Sequence, residues 1–372
     1  MSNPPKVALV YDWLTTPYGG AEKVLLALHD SFPDAPLYTS VSNSRLSWTK
    51  PFVIRTSFLQ RIPFAYRFYR LLGPVLPFTF ESFDLSEFDI IISVTSFAAK
   101  GVHTLPRQLH VCYLLTPTRY FYSHQHSYLG LLGWPVIGTV LNYFLQYLKR
   151  WDSSAITKAE RVIAISQRVA NRVQQYYHRT ADSVIYPPLT VPDAVSPHPT
   201  EEYYVVISRL VAYKKIDLAI QACRDLNKKL IVIGEGPQLR ALQQFAQGHP
   251  LIEFKGAVTE IELQRLWRGA KALLMPGEED FGITALEAAA QGKPVLLHHL
   301  SGAAEILRHQ QEAIHIKEES VEAVKGGIIA LEAHTFIPAD LQQRVKKYAT
   351  TNFVTQFRQT VLQYWQTFIN ER

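Results

Sequence analysis

Short apolar runs rich in β-forming residues recur along the chain with helical stretches between them; the rhythm breaks once and then restarts. Runs at 6–14 (KVALVYDWL), 89–94 (DIIISV), 110–115 (HVCYLL), 161–166 (RVIAIS) and 183–188 (SVIYPP) are almost continuously apolar. Strands covered on both faces read this way. Between them lie stretches such as TTPYGGAEKVLLALHDSFP, where a Gly-Gly turn precedes helical spacing at Val24, Leu25, Leu28 and Phe32. Strands alternating with helices predict an α/β architecture built on a parallel sheet. The break is YPPLTVPDAVSPHPTEE, residues 186–202, with five prolines and few large apolar side chains, as in a linker. Strand-like runs then resume at 203–208, 229–234, 252–256, 272–276 and 294–298.

The pattern predicts two doubly wound, Rossmann-like domains with a cleft at the linker, residues 1–190 and 191–350. An amphipathic helix over 351–372 packs on its own domain or crosses back to the first. A chain of 372 residues is too long for one ordinary core and suits two domains. In such sheets ligands bind beyond the carboxyl ends of the strands.

Charge is uneven. Residues 1–190 hold 18 Lys+Arg against 11 Asp+Glu, whereas residues 191–372 hold 20 against 21. The first half therefore favours an anionic partner. No dense basic stripe or nucleic-acid signature accompanies that charge, so nucleic acid is not expected; a membrane leaflet or a phosphorylated substrate fits, and ordinary surface charge is the bland alternative. The two cysteines, Cys112 and Cys223, lie far apart and imply neither a disulfide framework nor a zinc cluster. The N-terminus lacks the basic start and long apolar centre of a signal peptide. Residues 127–148 carry no charge, but Pro135, three glycines, Asn142 and Gln146 argue against a membrane span. That stretch and the basic, aromatic run 58–78 read as interfacial segments or as core.

GEEDFGITALEAAAQGKPV, residues 277–295, follows the run ending at Pro276 and opens a helix. The amino end of a helix attracts anions, and Gly282 lets a phosphate approach the backbone. Glu279 is placed to accept from sugar hydroxyls beside that phosphate, and Glu287 from the paired hydroxyls of a ribose. The structural alternative is a capping box, with Thr284 as N-cap and Glu287 three residues on; Asp280 is a further cap candidate. SRLVAYKKID supplies Arg209 and Lys214 at a strand's carboxyl end, where two cations neutralise a diphosphate. GEGPQLRAL is a glycine-rich turn that approaches a nucleoside, and Gly19 and Gly20 are a turn able to lie beside a phosphate or sugar.

Together GGAEKVL, SRLVAYKKIDLAI, GEGPQLRAL, FKGAV and EEDFGITALEAAAQGKPV resemble the family-4 glycosyltransferases, retaining enzymes of the GT-B fold. The resemblance implies that Arg209, Lys214 and Glu279 are catalytic. It implies that Gly19, Gly20, Gly234, Val258, Phe281, Gly282, Ile283, Thr284 and Glu287 bind the donor. His110, Thr116, Arg119 and Tyr120 are expected on the acceptor side. The likeness is nearest to bacterial polysaccharide and O-antigen mannosyltransferases. Many of those have His-Thr-Pro where this chain has Leu115-Thr116-Pro117, and leucine cannot hydrogen-bond. The implied partners are a nucleotide-sugar donor, GDP-mannose before a UDP-sugar, and a glycan or lipid-linked acceptor, with peripheral contact to an anionic membrane from the cytoplasm. No metal and no cofactor are expected. A phosphorylase-like enzyme and a non-catalytic sugar-nucleotide-binding subunit are the competing readings.

Overall fold

The computed structural model describes residues 4–16, 18–69, 72–122, 135–195 and 201–372, with the backbone alone at 119–120 and 135–142. It divides into two compact units, Met1–Pro188 with Phe353–Arg372, and Leu189–Asn352. The first holds β1 (Val7–Tyr11), β2 (Leu37–Thr39), β3 (Ile54–Thr56), β4 (Ile90–Thr95), β5 (Leu109–Leu114), β6 (Arg161–Ala164) and β7 (Ser183–Val184). They form one sheet in the order β3-β2-β1-β4-β5-β6-β7, every pair parallel. The second holds β8 (Tyr203–Ile207), β9 (Lys229–Ile233), β10 (Ile252–Gly256), β11 (Ala270–Met275), β12 (Val295–His298) and β13 (Ala313–Ile316). Their order is β10-β9-β8-β11-β12-β13, again all parallel. Both sheets reverse their winding direction once, between β1 and β4 and between β8 and β11. Ligands of doubly wound sheets sit at that reversal, beyond the carboxyl ends.

The α/β class and the apolar strands agree with the sequence. β2, β3 and β13 were not foreseen. β2 and β3 have three residues each, too few to show a period, and β3 is largely exposed. In the second unit, helix Ile216–Asp225 buries Ile216, Ala219, Ile220 and Cys223 against Leu230 and Val232 of β9. Each such aliphatic side chain contributes about 1.5–3 kcal/mol on full burial.

The helix Thr350–Asn370 leaves the second unit and packs on the first. Phe353 and Phe357 meet the Tyr113 ring at centroid distances of 6.1 and 5.5 Å, the latter edge to face. The Arg358 guanidinium donates to the Ser31 carbonyl at 3.2 Å. The uncharged stretch 127–148 lies partly outside the described residues; its later part belongs to helix Pro135–Lys158. Among the described residues no helix is long and apolar enough to cross a membrane.

Candidate active site

In the second unit two loops rise side by side from the neighbouring strands β8 and β11. After β8 come Ser208, Arg209 and a 3-10 turn, Ala212–Lys214. Lys215 then takes a left-handed conformation (φ 53°) to start helix Ile216–Asp225. After β11 the loop 276–282 leads into helix Ile283–Ala290. Gly277 lets the loops touch, because a Cβ there would overlap the Tyr213 carbonyl and the Lys214 backbone. The close approach brings the Lys214 ammonium onto Glu279 Oε1 as an ion pair. Both side chains are largely withdrawn from water, at 17% and 9% exposed.

Glu279 is fixed from three sides. Its N–H donates to Ser301 Oγ at 3.1 Å, and its carbonyl accepts from Gly302 N at 3.1 Å. Two residues on, the Phe281 carbonyl accepts from Ala303 N at 2.6 Å. Gly282 then turns the chain with φ 87° and is the helix N-cap. With that φ and the Met275 Cε only 3.1 Å from where a Cβ would stand, glycine suits the position. Arg209 is exposed, and its Nη2 donates to the Tyr213 hydroxyl at 3.4 Å. Lys214 Nζ lies 5.5 Å from the Tyr213 ring. Tyr213, which its sequence context does not distinguish from other loop aromatics, thus sits between the two cations.

Thr284 is the second residue of its helix rather than the cap, which is Gly282. The capping-box reading is therefore corrected; Asp280 is buried two residues before that glycine. Glu287, half-buried, is the fifth residue of the helix, beyond the first turn whose N–H groups lack intrahelical partners. Gly234 (φ 126°) follows β9, and a Cβ there would overlap the Ser208 carbonyl. The glycine turn is thereby clamped to the start of the Arg209 loop, with Leu210 N donating to Glu235 O at 2.8 Å. Val258, half-buried, follows the outer strand β10. Lys215 turns to Glu319 at 3.3 Å, away from a shared role with Lys214.

The first unit carries the remaining expected residues. Gly19 is the extended N-cap of helix Gly20–Ser31, which follows β1. Thr116 is buried after β5 and its hydroxyl donates to the Pro117 carbonyl at 3.0 Å. Leu115 donates its N–H to Thr95 O at 2.9 Å. The side chains of Arg119 and Tyr120 lie outside the described residues. His110 needs correction as an acceptor-side residue. It sits at the amino end of β5, 1% exposed, with Nε2 2.8 Å from Ser93 Oγ and its N–H on Glu160 at 2.8 Å. A ring sealed at that edge meets no substrate.

Burial, with a smaller push from Arg179, lowers the His110 pKa to about 3. The unfolded chain takes up that proton near the ordinary pKa of about 6.5, so acid favours unfolding. Between roughly pH 7 and 5 the first unit should lose about 2 kcal/mol on this account. Denaturant titrations should show that loss in the native chain and not in His110→Gln.

The first unit also holds a buried charge the sequence did not flag. Asp12, just past β1 and 2% exposed, accepts from the Thr95 hydroxyl at 2.9 Å. It accepts as well from the N–H groups of Ser96, Phe97, Ala98 and Ala99 at 2.8–3.1 Å. One carboxylate thus ties the carboxyl ends of β1 and β4 together at the reversal. Beside it Lys100 and Asp152, neither exposed, pair at 2.6 Å. Asp152 also accepts from Thr118 Oγ1 at 2.6 Å and Tyr177 OH at 2.7 Å. The signal available in the sequence was an aspartate immediately following a buried strand.

These features define a class. Two doubly wound domains occur together in the GT-B fold, and solved structures of that fold align over nearly the whole chain. The Anabaena protein HepE, solved with UDP and glucose, has a TM-score of 0.73, with 18% identity over 96% of this chain and 99% of its own. At the level of sequence, residues 192–352 match the family model described as Glycosyl transferases group 1. An uncharacterized glycosyltransferase of Methanocaldococcus jannaschii is 29% identical over 137 residues, 34% of this chain and 35% of the relative. A GDP-mannose-dependent alpha-(1-6)-phosphatidylinositol monomannoside mannosyltransferase of Mycobacterium tuberculosis is 29% identical over 143 residues, 34% of this chain and 37% of the relative. The chain thus spans about a third of the length of these curated relatives.

Proposed function

We propose that the chain is a retaining family-4 glycosyltransferase that moves a sugar from a nucleotide-sugar to a hydroxyl of a glycan or lipid-linked acceptor. The observation that carries this reading is the pairing of Lys214 with Glu279 at the reversal of the second sheet, beside Arg209 and a glycine-capped helix. Lys214, Arg209 and the helix end neutralise the donor's diphosphate. Glu279 accepts from hydroxyls of the transferred sugar and Glu287 from those of the ribose. Diphosphate entry competes with Glu279 for Lys214, freeing the carboxylate for the sugar.

As the bond from the sugar's anomeric carbon to the phosphate oxygen breaks, the charge gained by that oxygen falls on the two cations. The acceptor hydroxyl forms its bond to the same carbon from the same face, and the departing phosphate oxygen takes its proton. The cations and helix end supply the charge stabilisation, so the proposed reaction requires no metal or cofactor. GDP-mannose is our first donor, supported by the likeness to the mycobacterial mannosyltransferase; a UDP-sugar is second. We place the reaction at the cytoplasmic face of a membrane, consistent with the basic first half.

A thermal-shift screen of nucleotide-sugars followed by a diphosphate-release assay tests the reading. A donor should raise the unfolding temperature, and diphosphate should appear only with acceptor. Binding without release for any acceptor would instead make the chain a sugar-nucleotide-binding subunit, the reading that Leu115 favours. Glu287→Gln should raise the donor KM roughly tenfold with a smaller change in kcat, as loss of ground-state binding does. Initial-rate kinetics over donor concentration check it.

A further inference from the structure

Residues 35–80 contain six Lys or Arg and no Asp or Glu. Within this stretch the inward side chains Leu59, Ala65, Leu76 and Phe80 join the core of the first unit. The outward ones are also apolar. Phe58, Ile62, Phe64, Phe68, Val75 and Phe78 are each 39–58% exposed, where a soluble surface would place polar residues. The exposed Arg67 guanidinium lies 5.5 Å from the Phe64 ring and 5.9 Å from the Tyr66 ring. Arg61 is exposed in the same stretch. Helix Pro135–Lys158 adds Phe144, Leu145 and Leu148 to the same core and leaves Tyr143 and Tyr147 in solvent.

A cavity of about 620 Å³ adjoins the patch, lined in part by Ser42, Ser44, Arg45, Ser47, Lys50 and Gln60. Gln60 links the two, accepting from Ser42 N at 2.7 Å and donating to Ser42 O at 3.1 Å, while its neighbours Phe58 and Ile62 point outward.

We propose that this face docks on an anionic lipid bilayer. The aromatic and aliphatic side chains enter the boundary between headgroups and acyl chains, Arg61 and Arg67 face the phosphates, and the adjoining open pocket, lined by hydroxyls together with Leu46, Phe52 and Ile54, receives a headgroup phosphate between Arg45 and Lys50. Charge complementarity selects this occupant: Arg55 is paired with Glu87 at 3.2 Å, but the exposed Arg45, Lys50, Arg61 and Arg67 lie in a stretch with no carboxylate of its own, which fits an anionic sheet better than a mixed-charge protein surface. The proposal gives a surface to the membrane contact proposed above. Vesicle binding reads docking alone, so its outcome is separate from that of the transfer reaction.

The test is flotation of the full chain with vesicles of phosphatidylcholine, alone or mixed with phosphatidylglycerol. The native chain should float with the mixed vesicles and lose binding at high salt. Phe64→Ser/Phe68→Ser/Phe78→Ser should lower its partition on the order of tenfold or more. Arg61→Gln/Arg67→Gln should weaken the preference for the anionic vesicles, and adding Arg45→Gln/Lys50→Gln should abolish it. Unchanged melting temperatures show that the variants are folded; if the triple variant is not, Phe68→Ser alone replaces it. Failure of the native chain to float, or a folded triple variant that floats as well as the native chain, overturns the proposal. So does a native dimer by light scattering that the triple variant converts to monomer without any vesicle binding, which would assign the patch to a second copy.

Discussion

Lys214→Ala should lower kcat/KM by a factor on the order of 10²–10³, the cost of removing one preorganised donor from a developing oxyanion. The expectation rests on position. The Lys214 ammonium is drawn over the β11 loop by the Gly277 contact and already holds a carboxylate that is largely shielded from water. Removing it leaves Glu279 without that partner, and we expect about 1–2 kcal/mol of lost stability, less than for a fully buried pair because the lysine keeps some water contact. The two effects separate in the assay. Turnover is compared at a temperature where circular dichroism shows native and variant chains both folded. Lys214→Arg, which keeps the charge, should recover part of the rate, while Lys214→Ala/Glu279→Gln should regain stability without regaining activity. Near-native turnover in Lys214→Ala would remove the role assigned to this residue.

The largest expected stability effect belongs to the first unit. Asp12→Ala should destabilise it by about 4 kcal/mol or more, because the N–H groups of Ser96, Ala98 and Ala99 lose their Asp12 acceptor at once while Phe97 N–H keeps only Thr95 Oγ1 at 2.9 Å. Each unsatisfied buried donor costs about 1–3 kcal/mol. Water entering the gap reduces that sum, and the buried aromatic and alanine surroundings limit how much enters. Asp12→Asn should fall between, since the amide oxygen retains some of the bonds while its NH₂ faces donors. Urea titration followed by far-ultraviolet circular dichroism measures both. A loss below about 1 kcal/mol for Asp12→Ala would show that the 95–99 loop is held by other contacts.

The legible parts of the fold were those set by local chemistry. Runs such as DIIISV and KLIVIG identify central strands because both faces of a parallel sheet are buried. Three-residue strands such as Leu37–Thr39 and Ile54–Thr56 exist through pairing with their neighbours, which local pattern does not record. The site was legible in the same uneven way. Arg209, Lys214, Glu279 and Glu287 stand out as charges next to strand ends and glycines. Tyr213 reads as one more loop aromatic until the fold places it between two cations. Asp12 stands immediately after a buried strand, but its partners lie more than 80 residues away, so the local pattern does not show what it holds. His110 left two roles open in the sequence. It could stand in for the histidine that Leu115 replaces or serve the structure, and its strand position, sealed in the core, is the structural one. Thr284 and Glu287 have capping-box spacing, yet the left-handed Gly282 starts the helix two residues earlier than that motif requires.

The central claim is that the loops after β8 and β11 grip a sugar-bearing diphosphate. The most direct measurement is a crystal structure of the chain soaked with the nucleotide-sugar that gives the largest thermal shift. We expect the diphosphate at the amino end of helix Ile283–Ala290, within hydrogen-bond reach of Lys214 and Arg209, with Glu279 on the sugar and Glu287 on the ribose. A nucleotide-sugar bound elsewhere, with the Lys214–Glu279 pair intact and untouched, would contradict it.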